Sequence, residues 1–133
     1  MSKKRTITLT GRPPVRIDES SWPLVASASS HDYDGQYDFQ SFRHHRWFVG
    51  ARQHADGRAI VYAKYDYETA WQNERSLSAA RGVLLESADA ASICDAIANV
   101  CEDMSECEHN GNDDARWTSL RDECIADLPA VEI

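Results

Sequence analysis

The chain has 133 residues, 42% hydrophobic and 27% charged, proportions that set disorder aside and allow a single domain over 1–133 with its own core. No apolar run approaches the roughly 18 residues of a membrane span, and the basic start, Met1-Ser2-Lys3-Lys4-Arg5, runs into alternating residues rather than a signal-peptide core. A cytoplasmic protein with no membrane partner is expected, and its net charge of −8 opposes the phosphate attraction that dominates nucleic-acid binding.

Residues 6–10 alternate threonine with Ile7 and Leu9, a strand pattern. Gly11-Arg12-Pro13-Pro14 must break it, because proline fixes φ, lacks a donor and restricts the residue before it. Residues 15–17 resume as a short strand. Asp18 or Ser21 is then a candidate cap for a short helix carrying Trp22, Leu24, Val25 and Ala28, with Pro23 in its first turn. Residues 27–35 are polar and read as a loop. Tyr37, Phe39 and Ser41 alternate with Asp38, Gln40 and Phe42 as a strand.

Residues 45–54 and 58–67 form the two arms of a hairpin around Asp56-Gly57, a pair suited to a type I′ turn. That turn sets Arg52 against Val61, Ala51 against Tyr62 and Phe48 against Tyr65. A slip of one residue would reverse the faces. Residues 68–81 are polar and ambiguous, with Trp71 and Leu77 as expected anchors, and 82–86 suit a short edge strand. Ser87 is expected to cap a helix, with Asp89 near its positive end. Ile93, Ile97, Val100, Cys101 and Met104 recur at helical spacing. Asn112 or Asp113 caps a second helix with the stripe Trp117, Leu120, Cys124, Ile125 and Leu128, ended by Pro129. Strands first and helices after predict an α+β fold, an antiparallel β-meander with two C-terminal helices packed on one face.

Cys94 and Cys101 are seven residues apart on one helix, roughly 10 Å along its axis, too far to share a zinc ion. With Cys124 they read as reduced core thiols. Cys107 and His109 form a loop pair whose metal binding is left open, and no metal or cofactor is expected. His44, His45 and His54 are candidate general bases, but no positioned partner, nucleophile elbow, phosphate loop or zinc-protease motif accompanies them. The sequence therefore points away from an enzyme.

Charge is segregated. Residues 1–67 balance to +3 and residues 68–133 to −11, and no Lys or Arg occurs between Arg81 and Arg116. A one-sign field repels nucleic acid and attracts basic surfaces. Glu102, Asp103, Glu106, Glu108, Asp113 and Asp114 are the candidate contacts to a protein complex with a basic nucleic-acid groove, acting as phosphate mimics. The alternative is a nucleic-acid-binding or regulatory accessory protein using the hairpin at 45–67. There Arg46, Arg52, Arg58 and Lys64 would touch phosphates while Trp47 or Tyr65 stacks on bases. Direct nucleic-acid binding is the less favoured of the two.

Three segments carry a resemblance. They are Ile7-Thr8-Leu9-Thr10-Gly11-Arg12-Pro13-Pro14-Val15-Arg16-Ile17, Arg52-Gln53-His54-Ala55-Asp56-Gly57-Arg58-Ala59-Ile60-Val61-Tyr62 and Cys124-Ile125-Ala126-Asp127-Leu128-Pro129-Ala130. Together with Trp22-Pro23 they resemble small uncharacterised proteins carried by bacterial plasmids, integrative elements and phages. The resemblance implies a mobile-element setting, in which small acidic proteins look like anti-defence proteins, including anti-CRISPR inhibitors. It supplies no catalytic residues.

Overall fold

The strand expected at 6–10 is shifted toward the start of the chain as β1 (Lys4–Ile7), with Leu9 buried beyond its end, and the glycine–proline break, with Gly11 at φ 74°, returns the chain antiparallel as β2 (Val15–Asp18). The computed structural model describes residues 3–35, 42–71, 74–106 and 113–130. Among those residues the chain continues through β3 (Leu24–Gly35), β4 (Phe42–Gln53), β5 (Ala59–Thr69), β6 (Leu77–Leu85), α1 (Ala90–Glu106) and α2 (Asp114–Ala126). β3 to β6 pair antiparallel in chain order, as short connections between consecutive strands favour. α1 packs over β4, β5 and β6, and α2 over β3 and β4. The fold is α+β, with both helices on one face of the meander, as expected.

The sheet is covered on both sides. On the helix side Val49, Ala51, Val61, Ala63 and Tyr65 join Ile93, Ile97, Val100, Cys101 and Met104 of α1 and Trp117, Leu120 and Cys124 of α2 in one buried core. Ile125 and Leu128 pack partly buried at its margin. On the other side the hairpin of β1 and β2 buries Ile7 and Ile17, with Leu9 and Trp22, against Ile60 and Tyr62. The residues following β1 also close an edge. Thr10 N–H donates to Gly82 C=O (2.9 Å), and Gly82 N–H donates to Thr10 Oγ1 (3.1 Å).

Several local expectations are corrected. The helix expected near Trp22 does not form: Trp22 lies in the turn before β3, and Leu24, Val25 and Ala28, with the loop expected at 27–35, are part of β3. Asp18 does not start a helix. Its carboxylate accepts from Ser20 N–H and Oγ, and its carbonyl from Ser21 and Trp22 N–H, which makes a tight turn. Ala26 and Ala28, two apart, then face the core, and pairing with β4 overrides the weak helical spacing. The strand expected around Tyr37 lies outside the described residues, apart from Phe42, which begins β4.

The β4–β5 hairpin forms, but its register is one residue from that expected. Arg52 faces Ile60, Gly50 faces Tyr62, Phe48 faces Lys64 and Trp47 faces Tyr65. The loop has three residues rather than two. Gly57 N–H donates to His54 C=O, His54 N–H donates to Arg58 C=O, and Gly57 at φ 96° makes the left-handed step. Trp71 and Leu77 are 43% and 36% exposed rather than anchors, and the strand expected at 82–86 begins at Leu77.

Asp89, not Ser87, caps α1. Its carboxylate accepts from Ser92 N–H (2.8 Å), and Ser92 Oγ accepts in return from Asp89 N–H (2.9 Å). This is a reciprocal box with serine in the position usually held by Glu or Gln. Asp113 caps α2 as one of the two expected candidates, accepting from Arg116 N–H.

A Cβ at Gly82 would stand 2.4 Å from the Thr8 carbonyl oxygen. Gly82→Ala is expected to lift the N-terminal segment off β6 and destabilise the fold by about 1–3 kcal/mol. Urea denaturation monitored by tryptophan fluorescence checks this.

Candidate functional site

Each helix buries one stripe and turns the other outward, and the outward faces are acidic. On α1, Asp95, Glu102, Asp103 and Glu106 are exposed; on and around α2, Asp113, Asp114, Asp122, Glu123 and Asp127 are exposed. Two arginines share this layer. Arg121 Nε lies 3.0 Å from Asp122 Oδ1. Arg116 turns toward the sheet, with its guanidinium 2.8 Å from Asp32 Oδ2, bonded to Ser30 Oγ and 4.0 Å over the Trp47 ring.

The acidic residues singled out from sequence separate in space. Glu102 and Asp114 line a groove of about 310 Å³ between the helices, together with Ser105, Thr118 and Arg121. Asp103 lies on the other side of α1, where with Asp95 and Asn99 it lines a groove of about 410 Å³ against β6. Glu106 is exposed in the last turn of α1. Asp113 is committed locally, since one oxygen caps α2 and the other lies 3.6 Å from Arg116 Nε. Glu108, Cys107 and His109 lie outside the described residues. Asp95, Asp122, Glu123 and Asp127 extend the acidic surface beyond the residues first singled out. Their positions off the apolar stripes were the signal that could have found them.

The basic hairpin is divided differently. Arg46 and Lys64 are exposed on the sheet face away from the helices, near Glu68 (3.7 Å) and Asp66 (3.5 Å) respectively. Arg52 is a buried structural residue that donates to Tyr62 Oη (3.1 Å) and Trp22 C=O (3.0 Å). Arg58 is held by Asp56 and covers the Trp22 ring. Trp47 is 4% exposed and Tyr65 0%, so in this fold neither offers a face on which a base can stack.

The histidines occupy structural surroundings. His45 stacks with Tyr67 (4.5 Å) and Trp47 (5.6 Å), and its Nδ1 lies 2.6 Å from the Tyr65 hydroxyl. Burial lowers the His45 pKa below its ordinary 6.5; Asp32 opposes the shift, and Arg116 and Arg43 reinforce it. His44 is lowered for the same first reason, with Arg46 adding to it. Burial pushes the Tyr65 hydroxyl up to about 12. His54 Nδ1 sits at the hairpin loop, 3.1 Å from Asp56 N–H.

Glu74 fastens the β5–β6 connection. It accepts from both Nε and Nη2 of Arg43 (3.2 and 2.7 Å), from Tyr67 Oη (2.7 Å) and from Thr69 Oγ1 (2.8 Å). Those bonds, Arg43 first, hold its carboxyl down to about 2. Cys94, Cys101 and Cys124 are free thiols, and burial raises Cys101 and Cys124 to about 12, far from thiolate reactivity at neutral pH. No group of three or more His, Cys, Asp or Glu among the described residues is placed to hold a metal ion. No helix among them is long and apolar enough to cross a membrane.

No protein-family model, curated protein or solved structure matches this chain.

The lowered imidazoles set the direction of pH dependence. The unfolded chain takes up protons near pH 6.5, while the folded chain resists until lower pH, so stability present above about pH 7 is lost as pH falls through 6.5. The contribution of Glu74 is present above its ordinary 4.5 and is lost as pH falls toward about 2. The urea midpoint is expected to fall between pH 7.5 and pH 5.5, and His45→Gln should flatten that fall. Glu74→Gln should instead flatten the limb below pH 4.5.

Proposed function

We propose that this protein is an acidic inhibitor of a bacterial nucleic-acid-handling defence complex. Its helical layer occupies a basic nucleic-acid groove in the manner of an anti-CRISPR protein of a mobile element. The observation that carries this reading is the segregation of charge onto one layer. Asp95, Glu102, Asp103, Glu106, Asp114 and Glu123 have no ion-pair partner among the described residues, and both arginines of that layer are engaged. Carboxylates fixed on packed helices present charge with little ordering cost on binding. A basic groove that accepts phosphates accepts them by the same Coulombic attraction and counterion release.

Helix electrostatics favour the same reading. Neither helix has a basic residue in its last turn, and α1 ends on Glu102, Asp103 and Glu106. Carboxylates at that end oppose the helix dipole. A face under selection for stability alone would place cations there, so the acids are best accounted for by a partner. The resemblance to mobile-element proteins supplies the setting, the bacterial cytoplasm, where such complexes act. The protein acts by binding, without catalysis or cofactor.

The reading is tested with tagged protein captured from lysate of a bacterium with active defence systems, with and without nuclease. The captured complex is then purified for affinity measurement. Glu102→Lys with Asp114→Lys is expected to weaken binding at least tenfold and to reduce its salt dependence, while Arg46→Ala with Lys64→Ala leaves both unchanged. Glu106→Lys should weaken binding and at the same time raise the urea midpoint, opposite signs that a purely structural role would not produce. Unchanged affinity in the paired reversal would overturn the mimicry. Capture of nucleic acid alone, lost on nuclease treatment, would move the function to the basic face.

A further inference from the structure

Both edges of the four-stranded sheet are partly closed, β6 by the segment after β1 and β3 by one carboxylate. At β6 the outward groups of Gly82 are bonded to Thr10. At β3 the strand runs for twelve residues, and no proline or lysine interrupts it. Ser27 N–H points out of the sheet and donates to Asp127 Oδ2 at 3.0 Å. Antiparallel alternation then turns the N–H and C=O groups of Ser29, His31 and Tyr33 outward as well. Among the described residues no hydrogen bond reaches those groups. Proteins ordinarily blunt such an edge with proline, charge, a bulge or a cover; past the irregularity between Leu24 and Ala26 this one carries Ser27, Ser29 and Ser30, and its carboxylate Asp32 is turned to Arg116.

Beside the edge lies a groove of about 350 Å³ between β3 and α2, lined by Ser29, Ser30, Asp113, Arg116, Ser119 and Glu123. Arg116 is paired with Asp32 and Asp113. Glu123 and Asp127 are exposed on the same flank. The edge offers main-chain bonds, and the groove offers room for alternate side chains with a surplus of negative charge. An added strand would lie about 4.8 Å beyond β3, with every second side chain on the α2 side.

Resting on the reading of this protein as an acidic binder of a basic partner, we propose that the partner contributes an extended, basic segment that adds to β3 as a fifth strand. Its alternate Lys or Arg side chains lie in the groove beside α2. Main-chain bonds to Ser29, His31 and Tyr33 supply registry, and the carboxylates select the side chains. A second copy of this chain is the poorer occupant. Antiparallel pairing of two β3 edges about a two-fold axis would join two sheets whose helical layers are both acidic, so charge opposes that pairing where it favours a basic segment.

The probe is a capped ten-residue peptide alternating lysine with threonine. It is compared with an analogue N-methylated at alternate amides and with a glutamate–threonine counterpart. Amide hydrogen exchange and fluorescence anisotropy are measured on the whole protein. The lysine peptide is expected to slow exchange at Ser29, His31 and Tyr33, and N-methylation of the edge-facing amides should weaken it at least tenfold. Equal binding by the methylated peptide, with those amides unprotected, would overturn strand addition and leave the acidic-surface reading standing. Failure of both lysine peptides to bind, or equal binding by the glutamate peptide, would remove both. Protection of the same amides in the protein alone, with a dimeric mass by light scattering, would assign the edge to a second copy and overturn the proposal.

Discussion

Small side chains in two rows of the sheet allow the helices to dock. Ala28, Val49 and Ala63 lie side by side across β3, β4 and β5, and Ala26, Ala51 and Val61 form the neighbouring row. With nothing larger than valine in these rows, the isoleucines and Val100 of α1 and the Leu120 and Cys124 side chains of α2 fill the space above them. Bulk is placed farther along the sheet, where Trp47 lies opposite Tyr65 and His45 opposite Tyr67. Arg116, in the first turn of α2, covers Trp47 there and binds Ser30 and Asp32. The seating of α2 therefore combines core packing with one guanidinium that also binds the Ser30 and Asp32 side chains of β3.

That seating divides the carboxylates of the helical layer into two groups. Asp89, Asp113 and Asp127 accept from backbone N–H groups and so help to close helix ends or the β3 edge. Asp95, Glu102, Asp103 and Glu106 lie on the exposed side of α1 beyond the positions that its dipole favours. The first group is accounted for by folding. In the second, the acids at the C-terminal end weaken the helix that carries them, and locally unfavourable choices of this kind gather where a surface serves binding. The division also explains why a count of acids along the sequence overstates the site, since Asp113 has its oxygens engaged and Asp103 faces a different groove from Glu102.

The helices were legible because their signals are local. Ile93, Ile97, Val100, Cys101 and Met104, with Trp117, Leu120 and Cys124, keep one face across several turns and lie buried, whereas Cys94, expected in the core, is only half-buried. The α+β layering followed from strands preceding helices. β3 was not legible, because Ser27, Ser29 and Ser30 give no apolar alternation and Ala26 and Ala28 are too small to announce a core face; β4 makes that segment a strand. The hairpin register failed by one residue because Asp56-Gly57 fits both a two-residue and a three-residue loop, and the His54 to Arg58 bond selects the longer. The same slip decides the candidate site. It places Trp47 and Tyr65 together on the helix-facing side, buried, and leaves Arg46 and Lys64 on the other.

What distinguishes the helical surface is the fate of its counter-charges. Arg5 and Arg52 lie with Glu19, Arg43 with Glu74, Arg58 with Asp56 and Arg116 with Asp32. Of these arginines, the four from the first half of the chain are held against carboxylates that are not those of the helices. Among the described residues Glu102, Asp103, Glu106 and Asp114 have no such internal partner, and mobile counterions balance them in the free protein. A surface in that condition gains free energy from any basic groove that releases those ions. Strand addition at β3, as proposed, would supply what charge alone lacks, a directional set of donors and acceptors to fix how a partner lies.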